Sequence, residues 1–222
     1  MKFLLLLLTF ALAVPAQTVP RTVRADGEAS VSVQPDQAKI NTGVITQGAT
    51  AQEAASRNAT LVETLLSQLR GALGSNGETR TVSYSISPNY KYTQGQPAEL
   101  IGYTATNMVE VTMYDLSTIG KIIDVASQAG ANSVQSLRFG IREPEPVRGR
   151  VLGAAAKQAR AHAEAIAAGL GGRLGAVLAA QEGVVYSSSP LDSRVGAATP
   201  TPIEPGLVTV QATVTVEMEL LQ

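Results

Sequence analysis

From Val23 the chain alternates apolar and polar residues. Val23, Ala25, Gly27, Ala29, Val31 and Val33 point one way, and Arg24, Asp26, Glu28, Ser30 and Ser32 the other. Period two over this length predicts a strand with one wet face. Gln34-Pro35-Asp36 reads as a turn, and Ala38–Gln47 as a second, weaker strand, so the pair is expected to form a hairpin. The period then changes to that of a helix. Thr50 and Glu53 have the spacing of a capping box. Ala54, Asn58, Leu61, Leu65, Leu69 and Leu73 follow as one stripe, widened by Val62 and Leu66, and Gly74 is placed to stop it. Strands are predicted at Thr79–Pro88 (Val82, Tyr84 and Ile86 on one face) and at Ile101–Tyr114, whose apolar face is interrupted by Asn107. The polar stretch Asn89–Leu100 between them reads as a loop.

Asp115 can cap a second helix with Leu116, Ile119, Ile122, Ile123 and Ala126 inward and Gly130 at its end. Ser133–Ile141 reads as a short strand whose alternation slips once. Glu143-Pro144-Glu145-Pro146 suits the start of a third helix, since proline fits a first turn and acidic residues its positive end. Val151, Leu152, Ala155, Ala159, Ala163, Ile166 and Leu170 are its expected inner face, and its many alanines imply close approach to a neighbour. Arg173–Glu182 reads as a strand. Residues 187–206 hold four prolines and three consecutive serines and are expected to form a mobile loop. Leu207–Leu220 closes the chain with its cleanest alternation. Its even-numbered positions from Val208 to Leu220 are the apolar face.

The predicted order is ββαββαβαββ. Strands with one wet face argue for an α+β fold, mainly antiparallel sheet with about three helices packed on it. The first 22 residues stand apart. Lys2 followed by the apolar run Phe3–Val14 has the form of a signal peptide over residues 1–16, too short to span a bilayer, which takes about 20 residues. Cleavage is expected after Ala16 or Ala13, with residues 17–22 a flexible lead-in and 23–222 the folded domain. No later stretch is long and apolar enough for a transmembrane helix, so a periplasmic or cell-envelope location is expected.

Composition narrows the chemistry. A net charge of −1 from 17 basic and 18 acidic residues lacks the electrostatic footprint of nucleic-acid binding. With no cysteine and one histidine, thiolate catalysis, disulfides and a multi-histidine metal centre are excluded. Aromatics are 4% and Trp is absent, which argues against the aromatic girdles of an outer-membrane barrel.

The resemblance lies in the ordered set of motifs. Gly102-Tyr103-Thr104-Ala105-Thr106-Asn107 leads to Val109-Glu110-Val111, then Asp115-Leu116 and Gly120. Ala129-Gly130-Ala131-Asn132 precedes Leu137-Arg138-Phe139. The alanine-rich helix, Gly172–Gly175 after it, Pro202–Gly206 and the opening Val23–Pro35 complete the pattern. Together these resemble the SIMPL domain family over nearly the whole chain after the lead-in. Bacterial members are exported to the periplasm or envelope. Some are immunogenic envelope antigens, some are associated with oxidative-stress defence, and members can self-assemble. The family has no established catalytic residue set, so the resemblance implies no catalytic, cofactor or metal site.

Each residue group able to carry chemistry has a simpler structural role. The glycines of Gly169–Gly175 follow a helix, whereas a phosphate loop must precede one; they read as a helix stop. His162 lies beside the alanine stripe without a nucleophile elbow in the sequence and is expected at a boundary or surface. The pairs Glu143/Glu145 and Glu217/Glu219 could hold a cation or serve as general acid and base, but a helix start and a solvated strand face explain them. Tyr84 and Tyr103 are expected in the core; Tyr90 and Tyr92, near the loop, are the better candidates for a partner surface. The function expected is that of a non-enzymatic exported envelope protein, forming a homo-oligomer and linked to oxidative or envelope stress tolerance. Subunits would pair through a long strand edge such as Leu207–Leu220. The alternative is a periplasmic binding module that takes a small ligand or envelope polymer on the loops at 89–100 and 187–206.

Overall fold

The structure, a computed structural model, describes residues 21–189 and 205–222. The expected signal peptide and most of the lead-in and of the Ser/Pro-rich loop lie outside these residues. Among the described residues the order is β1 (Thr22–Val33), β2 (Gln37–Gly48), α1 (Ala51–Leu73), β3 (Gly77–Lys91), β4 (Glu99–Met113), α2 (Ile119–Gln128), β5 (Ser133–Gly140), α3 (Glu145–Gly169), β6 (Arg173–Ser189) and β7 (Leu207–Leu221). This is the order ββαββαβαββ, with a short 3-10 turn at Leu116–Thr118 before α2. Thr22 already belongs to β1, and β6 runs through Ser187–Ser189, so both elements extend beyond their predicted ends.

The strands form two antiparallel sheets. One has the order β1-β7-β6 and the other β3-β4-β2-β5. The chain starts in the first sheet, builds the whole of the second, and returns to the first through α3. The hairpin expected between β1 and β2 does not form. All twelve residues of β1 pair with β7, from Thr22 opposite Glu219 to Val33 opposite Val208. The strand with the cleanest alternation thus pairs with another cleanly alternating strand, without a register shift. β2 pairs instead with β4 and β5. The turn at Asp36 is held from afar: its amide donates to the Gly140 carbonyl (3.1 Å), and its Oδ1 accepts from the Arg142 amide (2.6 Å).

Each sheet has its own core. In the second sheet, Val62, Leu65, Leu69 and Leu73 of α1 and Ile119 and Ile122 of α2 pack on Ile40, Val44, Val109, Val111 and Met113. Asn58 is buried in the α1 stripe. Its Nδ2 donates to the carbonyls of Val44 (2.8 Å) and Ala105 (3.2 Å), tying the helix to two neighbouring strands. The capping box forms: the Glu53 amide donates to Thr50 Oγ1 at 3.2 Å. The Glu53 carboxylate reaches one residue beyond the cap and accepts from the Ala49 amide at 3.0 Å. The slip in β5 is a bulge. Leu137 pairs with Ile40 and Gln135 with Asn41, which leaves Ser136 unpaired with φ +43°.

In the first sheet, α3 packs on β1 and β7 through a stripe of small residues. Val147, Val151, Ala155, Ala159, Ala163 and Ala167 are buried. Ile166 and Leu170, expected inward, are exposed. The inner row advances strictly by four, so Ala167 continues it where the prediction placed Ile166. The approach is closest at Gly27: a Cβ there would lie 2.2 Å from both the Ala155 carbonyl oxygen and the Ala159 nitrogen. The glycine run after α3 ends the helix, as predicted. Gly171 takes φ +74°, and the Gly172 amide donates back to the Ala167 carbonyl at 2.9 Å. Such left-handed geometry is what glycine permits at a helix C-terminus.

Candidate functional site

A sheet edge carries a row of unpaired amides and carbonyls that invite another strand, and soluble proteins usually cover or interrupt it. Here β1, β6, β3 and β5 are the outermost strands. Their edges differ sharply.

The β1 edge is sealed by α3. Gln158 Oε1 accepts from the Glu28 amide at 2.7 Å. His162 Nδ1 lies 2.7 Å from the Asp26 carbonyl oxygen. A carbonyl only accepts, so Nδ1 carries the proton. Gln158 and His162 are four apart on one helix and therefore share a face. They satisfy two backbone groups two residues apart on the strand. The close packing at Gly27 brings the helix near enough for both side chains to reach. His162 is at the surface, as expected, but it has a specific role in closing an edge. Gln158 was not apparent from the sequence; its i,i+4 relation to the one histidine was the available signal.

The β5 edge is short and broken by the bulge at Ser136. The β3 edge is longer, but Pro88 lies within it and its register shifts between Thr81 and Ser83 and again between Asn89 and Tyr90. Proline cannot donate to a ladder and bulges bend a strand, so both features discourage pairing.

β6 lacks these defences over its second half. Its irregularities fall between Leu174 and Ala179, and from Ala179 to Ser189 it pairs residue for residue with β7. Within that run the one charged residue is Glu182, which is engaged by Arg148. Val185 is 65% exposed, and Tyr186 is partly exposed. Among the described residues nothing pairs with the outer side of this strand. The closing strand β7, expected to offer an edge, is central and paired on both sides, to β1 and to β6.

The tyrosines divide differently from the expectation. Tyr84 is exposed with Val82 and Ile86, because no helix covers this part of edge strand β3. Tyr103 is half-buried. Tyr90 and Tyr92 are exposed as expected, with ring centroids 6.5 Å apart. The loop expected at 89–100 is shorter, because β3 runs to Lys91 and β4 begins at Glu99.

Of the paired carboxylates, both exposed, Glu145 lies at the start of α3, 3.6 Å from Arg148, and Glu143 precedes the helix. Glu217 and Glu219 stand half-exposed on the polar face of β7, opposite Arg24 and Thr22. Among the described residues no three His, Cys, Asp or Glu side chains are grouped so as to hold a metal ion. Met108, Met113 and Met218 are buried.

A cleft of about 540 Å³ opens where the two sheets meet. Phe139, which packs on the second-sheet core, and Ile141 and Val208, from the first-sheet side, supply apolar wall. Arg138, Glu145, Arg148 and Tyr186 supply polar wall. Arg148 is fixed in place. It is hydrogen-bonded and ion-paired to Glu182, with Glu145 second, and the two carboxylates raise its already high pKa. Its Nε is buried without a hydrogen-bond partner. No local pattern in the sequence announces this cleft, because its arginines come from β5 and α3 and are brought to one cleft only by the tertiary fold.

Comparison with known proteins gives a consistent picture. The family model described as SIMPL, Protein of unknown function (DUF541), matches residues 23–218. The chain is 29% identical over 196 residues to Uncharacterized protein YggE of Edwardsiella ictaluri, covering 86% of this chain and 80% of that protein. It is 30% identical over 171 residues to Uncharacterized protein YggE of Escherichia coli K12, covering 74% and 67%. To the 26 kDa periplasmic immunogenic protein of Brucella melitensis it is 27% identical over 162 residues, covering 69% of this chain and 65% of that protein. Among the described residues no helix is long and apolar enough to cross a membrane.

Proposed function

Since the chain belongs to the SIMPL family, we propose that it is an exported periplasmic protein without enzymatic activity that associates with copies of itself through β6. The observation that carries the association is the regular edge at Ala179–Ser189, which nothing among the described residues covers, in contrast to the β1 edge across the sheet that α3 seals. A strand edge is complementary to a second copy of itself in antiparallel pairing. Two copies joined in this way form an isologous pair about a two-fold axis. The sheet would then run β1-β7-β6-β6-β7-β1 across both. Export is supported by the signal-like pattern of residues 1–16 and by a relative named as periplasmic. The non-enzymatic reading is supported by His162 and Glu145, whose side chains are engaged in packing α3 and fixing Arg148. A contribution to oxidative or envelope stress tolerance follows from the family resemblance; survival of a deletion strain under peroxide and envelope stress tests it.

Backbone amide exchange tests the association directly. Protection along residues 179–189 is expected to rise with protein concentration while β1 stays unchanged. Protection of β6 independent of concentration would oppose the proposal and indicate an intramolecular cover.

A second reading, a binding module, is supported by the cleft between the sheets.

A further inference from the structure

We propose that the cleft between the two sheets binds a small organic anion, with its acidic group on Arg138 and its apolar body on Phe139, Ile141 and Val208. This rests on the second reading above and names its ligand class. Three observations lead to it.

The first is shape and place. A volume of about 540 Å³ falls within the range of small-molecule sites, which form preferentially where two structural units meet.

The second is a local excess of positive charge. Arg138 lies directly opposite Lys39 in the β2–β5 register. Like charges placed opposite each other destabilise a sheet. Lys39 is ion-paired with Glu110 at 3.8 Å, and Arg80 holds the same carboxylate at 2.9 Å. Lys39 and Arg80 thus share one carboxylate. Among the described residues Arg138 has no carboxylate within ion-pair distance. An acidic ligand group at Arg138 would relieve the repulsion.

The third is preorganisation. Arg148 is pinned by Glu182 and Glu145, so this wall is ordered before any ligand arrives. Its charge is more than offset by those two carboxylates, which leaves Arg138 as the cationic contact for an anion. A mixed wall of apolar residues and a few fixed polar groups suits an amphipathic anion better than a sugar, which needs many hydrogen-bonding partners.

The probe is 1-anilinonaphthalene-8-sulfonate, a fluorescent aromatic sulfonate, titrated into the protein from Gln17 onward. Saturable binding at one site is expected, displaced by a non-fluorescent fatty carboxylate. Arg138→Gln should weaken it at least tenfold, and Phe139→Ala likewise, with circular dichroism confirming that both variants fold. Val185→Lys, on the β6 edge, should leave the affinity unchanged. Equal affinity in Arg138→Gln and wild type would overturn the proposal, as would binding abolished by Val185→Lys alone. Light scattering on the same samples reports self-association separately, so failure at the cleft and failure at the β6 edge are distinguishable.

Discussion

Gly27 of β1 and Ala159 of α3 are in such close contact that a methyl group on Gly27 would sit 2.2 Å from the Ala159 backbone nitrogen. The obstacle is helix backbone, which cannot turn aside as a flexible side chain can. Gly27→Ala is therefore expected to cost about 3 kcal/mol, the upper end for overpacking a well-filled core. That corresponds to a fall in Tm of roughly 6–12 °C for a domain of this size. Gly153, within α3, has open space around its would-be Cβ. Gly153→Ala should stabilise the helix by about 1 kcal/mol. Thermal melts of the two variants should move in opposite directions; equal effects would contradict this packing.

Asn58 supplies another test of the core. Its buried Nδ2 serves carbonyls on β2 and β4 at once. Asn58→Ala leaves both without this donor and should cost about 3 kcal/mol in urea unfolding, from unsatisfied buried groups plus a small cavity. Asn58→Asp should be worse at neutral pH, because a carboxylate cannot donate to either carbonyl. An aspartate variant as stable as wild type would show that the amide is dispensable.

The seal on β1 can be opened one bond at a time. Gln158→Ala should speed amide exchange at Glu28, the donor it relieves of a partner. His162→Ala should free the Asp26 carbonyl and leave the Glu28 amide protected. The double variant should gain a tendency to associate through β1 that wild type lacks. If exchange at Glu28 is unaffected by loss of Gln158, the side chain does not close the edge.

The capping box predicts a smaller effect. Thr50→Ala removes the acceptor for the Glu53 amide and should lower stability by about 1 kcal/mol. Thr50→Ser should restore it. Indifference to Thr50→Ala in urea unfolding would contradict the cap.

Local order was largely legible. The capping box, the glycine stop after α3 and the slip in β5 were each written in a few adjacent residues, and each is present. Pairing was not legible in the same way. Gln34-Pro35-Asp36 looks like a hairpin turn, yet Asp36 is held by Gly140 and Arg142, more than a hundred residues away. Alternation identifies a strand's faces but not its neighbour, so β7 could be read as an edge although it lies between β1 and β6. Tyr84 was misplaced for the same reason, because its face is covered only if a helix lies over it. The alanine stripe of α3 did announce a close contact; Gly27, its counterpart, was hidden in an ordinary alternating strand. The cleft at Arg138 and Arg148 had no local signature.

The native mass of the protein from Gln17 onward tests the proposed association most directly. It should be measured by size-exclusion chromatography with light scattering over a range of concentrations, beside Val185→Lys. A lysine on an open edge is a device that proteins use to block strand pairing. Wild type is expected to run as a discrete oligomer and Val185→Lys as a smaller species. A wild-type monomer at every concentration, or an oligomer of unchanged mass in Val185→Lys, would contradict association through β6.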